Sequence, residues 1–219
     1  MKLQGLKVNF LGDSITEGNK GPTDLNHRFT AVLHQKYGVD ARNYGAGGTR
    51  IALQSQPSQE ARFDLDFLMR SEKMDRDAEV VFIFGGTNDF GHGMAPLGNW
   101  DERTDYTFTG ACRHLMEKVL AFFPTAEIAV VTPLHRIGEE DPYGDHVRDF
   151  PTASLKTYAT ILRETAEYYS LPVLDLFAES GFQPSVEAIG ERYFLDGLHP
   201  NDAGHARLAD LFARYLIRL

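Results

Sequence analysis

Ser14 stands in Gly12-Asp13-Ser14-Ile15, directly behind a β-branched and aromatic run that reads as a strand. Its hydroxyl is therefore expected at a strand end, close to free backbone N–H groups. A serine hydroxyl is a weak nucleophile at neutral pH and needs a base, commonly a histidine that a carboxylate orients. Of the eight histidines, His199 is distinctive for its place in Asp196-Gly197-Leu198-His199-Pro200, a loop with a carboxylate three residues upstream and with Asn201 or Asp202 placed to cap the helix that follows. Acyl transfer also needs donors aimed at the developing oxyanion. Asn43-Tyr44-Gly45-Ala46-Gly47-Gly48-Thr49 offers glycine amides that can approach a substrate closely, and Gly85-Gly86-Thr87-Asn88-Asp89 offers the side-chain amide of Asn88. Singly, each stretch has a plainer reading as a turn or helix cap. Together they supply a nucleophile, a base, its orienter and donors for an anion. Asp13 and Asp89 are expected only to brace their turns.

These residues need a scaffold that brings them together, and the periodicity describes one. Short apolar runs at 8–12, 41–44, 80–84, 128–132 and 173–177 read as strands. They alternate with segments of helical period at about 24–37, 58–69, 108–123, 152–169 and 202–218. Such alternation predicts an α/β domain around a parallel sheet. In an open parallel sheet, ligands bind beyond the strand C-termini. Ser14, the 43–49 stretch and Asn88 all fall there, as do two long connections, 85–107 and 133–151.

Composition limits the alternatives. The chain has 219 residues, 42% of them hydrophobic, which suits one domain over residues 1–219 and excludes a disordered chain. With 22 basic and 31 acidic residues the formal charge is −9, so nucleic acid and anionic membrane surfaces are poor partners. A single cysteine, Cys112, rules out an internal disulfide or a thiolate metal cluster. No signal-peptide pattern or membrane-spanning apolar run is seen, so membrane insertion is not expected and a cytoplasmic location is. Nothing in the sequence specifies an oligomeric state.

Four blocks in order along the chain resemble the SGNH hydrolases, also called GDSL-type esterases and lipases. Gly12-Asp13-Ser14-Ile15 resembles the first block, with Ile15 where the name pattern has leucine; Asn43 through Thr49 resembles the second, Gly86-Thr87-Asn88-Asp89 the third, and Asp196 through Pro200 the fifth. The resemblance implies a three-layer α/β/α, flavodoxin-like fold with a five-stranded parallel sheet in the order 2-1-3-4-5. It implies Ser14 as nucleophile, His199 as base and Asp196 as orienter. The oxyanion hole it implies is made of the Ser14 amide, the Gly48 amide (with Gly47 an alternative) and the Asn88 side chain.

The substrate expected is a small-molecule acyl ester, with a short acyl group, acetyl by preference, on a small polar or carbohydrate alcohol. No metal or organic cofactor is expected. Arg50, Trp100, His135 and Arg136 are the candidate substrate contacts, because an aromatic ring and several hydrogen-bonding groups suit a sugar and an arginine suits an anionic group. His199, Asp202 and His205 do not make a persuasive metal site. A lysophospholipase, a thioesterase or an acyltransferase would use the same residues. A different class of reading is a flavodoxin-like protein whose 14–19 loop cradles a phosphate or flavin, although Glu17 puts a negative charge in that cradle.

Overall fold

The segment Val80–Phe84 is apolar at every position and buried at every position, as a strand covered on both faces must be. It is the central strand of the computed structural model, which describes residues 2–219. In chain order the elements are β1 (Lys7–Gly12), α1 (Ser14–Glu17), a 3-10 turn (Leu25–His27), α2 (Phe29–Tyr37) and β2 (Asp40–Gly45). A second 3-10 turn (Ala61–Asp64), α3 (Phe67–Ser71), β3 (Val80–Phe84), α4 (Thr87–His92), α5 (Phe108–Phe122) and β4 (Glu127–Val131) follow. The chain finishes with α6 (Leu155–Tyr168), β5 (Val173–Leu174), α7 (Leu176–Glu179), α8 (Glu187–Tyr193) and α9 (Asp202–Arg218). All strand pairs are parallel, and the sheet order is β2-β1-β3-β4-β5, as expected.

Because side chains alternate across a strand, the sheet divides its apolar residues between two cores. Leu11, Val81, Ile83 and Val130 face α3, α5 and α6 through Phe67, Leu115 and Leu162. Val8, Phe10, Phe82 and Ala129 face α2 and α9 through Phe29, Leu33 and Leu216. On the second face the ring of Phe212 lies 5.3 Å from Phe10, 4.9 Å from Phe29 and 4.9 Å from Phe82. This aromatic cluster anchors α9 to the sheet, and with it the loop that carries His199. No helix among the described residues is long and apolar enough to cross a membrane.

The structure corrects several element boundaries. The helix expected at 24–37 breaks at Arg28, whose φ of −63° and ψ of 147° are extended. The one expected at 58–69 is split into the 3-10 turn at Ala61–Asp64 and the start of α3 at Phe67. Asp64 accepts hydrogen bonds from the backbone and hydroxyl of Ser58, at 2.8 and 2.7 Å, and closes a turn there, while Asp66 caps α3 by accepting from Met69 N. The strand expected at 173–177 stops at Leu174, because the Asp175 carboxylate caps α7 and accepts two hydrogen bonds from Arg163. Helix α4 lies inside a connection read from the sequence as irregular, and α8 was not anticipated.

Candidate active site

The strand ends deliver the chemistry. At the end of β1, Gly12 has no room for a side chain: a Cβ there would collide with Thr16. The chain turns into α1, whose N-cap Asp13 accepts from Ile15 N at 3.0 Å. Burial pushes the Asp13 carboxyl up to about 7. Ser14 opens α1, and its Oγ lies 3.1 Å from His199 Nε2.

His199 is fixed by its loop. An antiparallel bridge joins Phe194 to Pro200, Leu195 N donates to His199 O at 2.8 Å, and Asn201 N donates to Tyr193 O at 2.9 Å. Asn201 also caps α9, accepting from Gly204 N at 3.1 Å. The His199 Nδ1 atom is 2.9 Å from Asp196 Oδ2 and 3.2 Å from Oδ1. Asp196 Oδ1 further accepts from the backbone N–H groups of Leu198 and His199, at 3.1 and 2.8 Å. Partial burial works to raise the Asp196 carboxyl, but the hydrogen bonds from the His199 backbone and imidazole outweigh it and bring it down to about 2. Burial moves the His199 imidazole the other way, below 6.5, against the opposing pull of Asp196. At neutral pH the pair is therefore a carboxylate and a neutral imidazole. Asp196 fixes the Nδ1–H tautomer, and the Nε2 lone pair is left to accept from the Ser14 hydroxyl.

The candidate anion-binding donors can be sorted by their existing bonds. The Gly47 N–H donates to Glu17 Oε2 at 2.7 Å and is spent. Gly48, with φ +77°, has no such acceptor among the described residues and lines the same cleft as Ser14 and His199. Asn88, 5% exposed, donates one amide hydrogen to Thr49 O at 3.0 Å, which fixes the amide orientation and leaves its second hydrogen unspent. The cleft, about 360 Å³, thus holds a hydroxyl, an imidazole and donors for an oxyanion together.

Three residues that position this group have no local sequence signal. Arg70, from α3, donates to Gly12 O at 2.9 Å, Thr49 Oγ1 at 2.8 Å, Leu65 O at 2.7 Å and Tyr44 O, tying the ends of β1 and β2 together. Asp89 accepts from Ile51 N at 3.0 Å and Ala52 N at 2.9 Å, so it braces the chain after Gly48 rather than its own turn. Glu17 holds Gly47 and is paired with Arg62 at 2.8 Å. Its carboxylate sits in the loop where the phosphate-cradle reading needs an anion.

None of the four substrate contacts expected from sequence lines this cleft. Arg50 is 4% exposed, and its Nη2 is committed to Ser58 Oγ, Phe63 O and Asp64 Oδ1. Trp100 packs 5.0 Å from Tyr168, with the Arg113 guanidinium 4.1 Å from its centroid, against α5 and α6. His135 Nδ1 pairs with both oxygens of Glu139 at 2.8 Å, and its ring lies 4.0 Å from Phe177. Arg136 is ion-paired with Asp145, and it is Asp145 that reaches the cleft wall. Among the described residues no group of three or more His, Cys, Asp or Glu is arranged to hold a metal ion. Asp202 instead accepts from Thr23, and His205 Nδ1 accepts from Phe29 N at 3.1 Å.

Residues 10–207 match the GDSL-like Lipase/Acylhydrolase family. No curated protein sequence matches the chain. One crystal structure is 29% identical over 100% of this chain and 99% of its own, with a TM-score of 0.85. A Lactobacillus plantarum protein is 25% identical over 98% of each chain, with a TM-score of 0.81. A carbohydrate acetylesterase from Sinorhizobium meliloti, 17% identical over 97% of this chain and 99% of its own, shares the fold at a TM-score of 0.68. The chain belongs to the GDSL-like lipase/acylhydrolase family and is a carboxylic ester hydrolase.

Proposed function

We propose that the protein, acting as one domain, hydrolyses short acyl esters of a small polar or carbohydrate alcohol through an acyl-enzyme on Ser14. The observation that carries this reading is the chain of contacts from Asp196 through His199 to Ser14, at 2.9 and 3.1 Å, beside unspent donors on Gly48 and Asn88. His199 Nε2 takes the Ser14 proton as Oγ attacks the ester carbonyl carbon, and Asp196 stabilises the resulting imidazolium. The carbonyl oxygen, now an anion, is held by the backbone N–H groups of Ser14 and Gly48 and by the free amide hydrogen of Asn88. Collapse breaks the C–O bond to the alcohol, which leaves with the proton from His199. Water then repeats the sequence on the acyl-enzyme and regenerates Ser14. These steps need no metal or organic cofactor.

The alcohol side of the reading rests on the cleft wall beside His199. There Asn19 and Lys20 are exposed, and Lys20 Nζ stands 3.4 Å from Asp196 Oδ2. A hydroxyl-bearing leaving group finds partners on that wall. The test is turnover of p-nitrophenyl acetate by the wild type and by Ser14→Ala. The expected loss is at least about 10³-fold in kcat with an unchanged melting temperature. Full turnover by the folded variant overturns the nucleophile assignment.

A further inference from the structure

The cleft does not end at the oxyanion donors. Past Phe63 and His92 it continues into a second cavity of about 500 Å³, which shares Phe63, His92 and Asp145 with the cleft and is further walled by Pro57, Met94 and Val147. His199, Lys20 and Leu198 line the cleft and not this cavity. Phe63 packs against Gly48 so closely that a Cβ there would run into the ring. His92 follows Asn88 by one turn on α4. The cavity therefore begins beside the oxyanion donors, on a side that the imidazole does not reach.

What a ligand would meet there is set by which wall atoms remain unspent. Arg50 is 4% exposed, its Nη2 is committed to Ser58, Phe63 O and Asp64 and its Nη1 lies 3.5 Å from His92 Nδ1, while the Ser58 hydroxyl donates to Asp64. Gln54 donates to Ala52 O and accepts from Met94 N, and Asp145 is paired with Arg136. Burial brings the His92 imidazole down to about 4, so it is neutral at pH 7. Gln56 and Gln59 add exposed amides at the rim, and the rest of the wall is apolar: the Phe63 ring, Pro57, Met94 at 41% exposure and Val147 at 65%. Large hydrophobic side chains left in water beside a polar cleft gain free energy when a ligand covers them.

The stereochemistry of the reaction says which part of the ester comes here. The tetrahedral carbon carries Ser14 Oγ, the oxyanion, the leaving oxygen and the acyl carbon. The leaving oxygen must lie within reach of His199 Nε2, which protonates it, so the alcohol extends along the wall that His199, Lys20 and Leu198 form. The acyl carbon takes the direction that remains. We propose that the cavity bounded by Phe63, His92, Met94 and Val147 is the acyl pocket and that it takes an unbranched apolar chain longer than acetyl, such as butyryl or hexanoyl. This rests on the esterase reading above and goes further by naming the acyl group.

The test is a series of p-nitrophenyl acetate, butyrate and hexanoate with the wild type, Met94→Ser and Val147→Ser. Full burial of a methylene is worth about 0.8 kcal/mol, or roughly fourfold in kcat/KM, and partial burial less. The expected wild-type hexanoate-to-acetate ratio of kcat/KM is at least about tenfold, and each serine variant is expected to lower it by at least about threefold. Reading a ratio cancels any loss of folded protein. A wild type that turns over acetate as well as hexanoate, or a ratio unmoved in both variants, overturns the pocket and leaves the esterase reading intact. A chain that hydrolyses none of the three esters overturns both.

Discussion

On the proposed mechanism, replacing Asn88 with alanine removes one oxyanion donor while leaving the contacts among Ser14, His199 and Asp196 untouched. The Asn88 side chain spends one hydrogen on Thr49 O, at 3.0 Å, and on that mechanism offers the other to the oxyanion, so truncation has two separable costs. The first falls on the transition state. A donor that strengthens its bond as charge develops is worth about 2.7–4 kcal/mol, so kcat is expected to fall by about 10²–10³-fold with KM little changed. The second falls on the fold. Thr49 O loses its partner at a site only 5% exposed, which costs about 1–3 kcal/mol, and for a chain of this size each kcal/mol lowers Tm by about 2–4 °C. Measuring kcat and KM on p-nitrophenyl acetate at 25 °C, well below the melting transition, separates the two costs. Asn88→Asp sharpens the comparison, because a carboxylate in the same place repels the oxyanion, and its loss at pH 7 is expected to exceed that of the alanine variant. If Asn88→Ala keeps kcat within about tenfold of the wild type, the side chain is not an oxyanion donor and the reasoning fails.

The remaining expectations concern the base, the buried acid and the scaffold. Burial holds His199 below 6.5 and Asp196 is down at about 2, so kcat/KM is expected to climb with pH through one apparent pKa below 6.5 and to stay level through neutrality. A midpoint above 7 in the pH profile would contradict this. Asp13 is raised from 3.8 to about 7, so the folded state keeps a proton that the unfolded chain releases. The stability this group contributes is complete below about pH 3.8 and is lost as the pH rises through 7, so Asp13→Asn should flatten the decline of Tm across that window. An unaltered decline would place the proton elsewhere. Arg70→Met strips partners from Gly12 O, Tyr44 O, Thr49 and Leu65 O, and urea unfolding is expected to show a loss of about 3–5 kcal/mol; a change below about 1 kcal/mol would remove Arg70 from the scaffold. Gly48→Ala must fit a Cβ at φ +77° against the Phe63 ring, so kcat is expected to drop by at least about tenfold, and wild-type kinetics would show that the Gly48 amide is not needed.

Much of this molecule is legible in its sequence because the information is local. The all-apolar run of β3 and the helical stripes of α5 and α9 report their own burial, and their expected boundaries agree with the structure to within a residue. Asp196 and His199 sit three residues apart, so their pairing could be read from the loop itself. Where the sequence misled, a distant partner decided the outcome. The 58–69 segment has apolar positions at helical spacing, yet Asp64 bends back to Ser58 and Arg50. Arg70 reaches Gly12 across 58 residues of chain, and Glu17 reaches Gly47 across 30. No local pattern announces such bonds. Trp100 reads as a substrate contact because an aromatic ring suits a sugar and its long connection leaves a strand C-terminus. That connection folds back over α5, where Arg113 covers the indole. The wall of the second cavity comes from Phe63, Met94 and Val147, which are scattered over segments that nothing in the sequence joins.

The most direct test of the whole account is active-site labelling with a fluorophosphonate, followed by peptide mass spectrometry. One adduct is expected, on Ser14. Its formation should slow by orders of magnitude in His199→Ala and disappear in Ser14→Ala. An adduct on another residue, or none on Ser14 in protein that hydrolyses p-nitrophenyl acetate, would contradict the claim that Ser14 carries the acyl group.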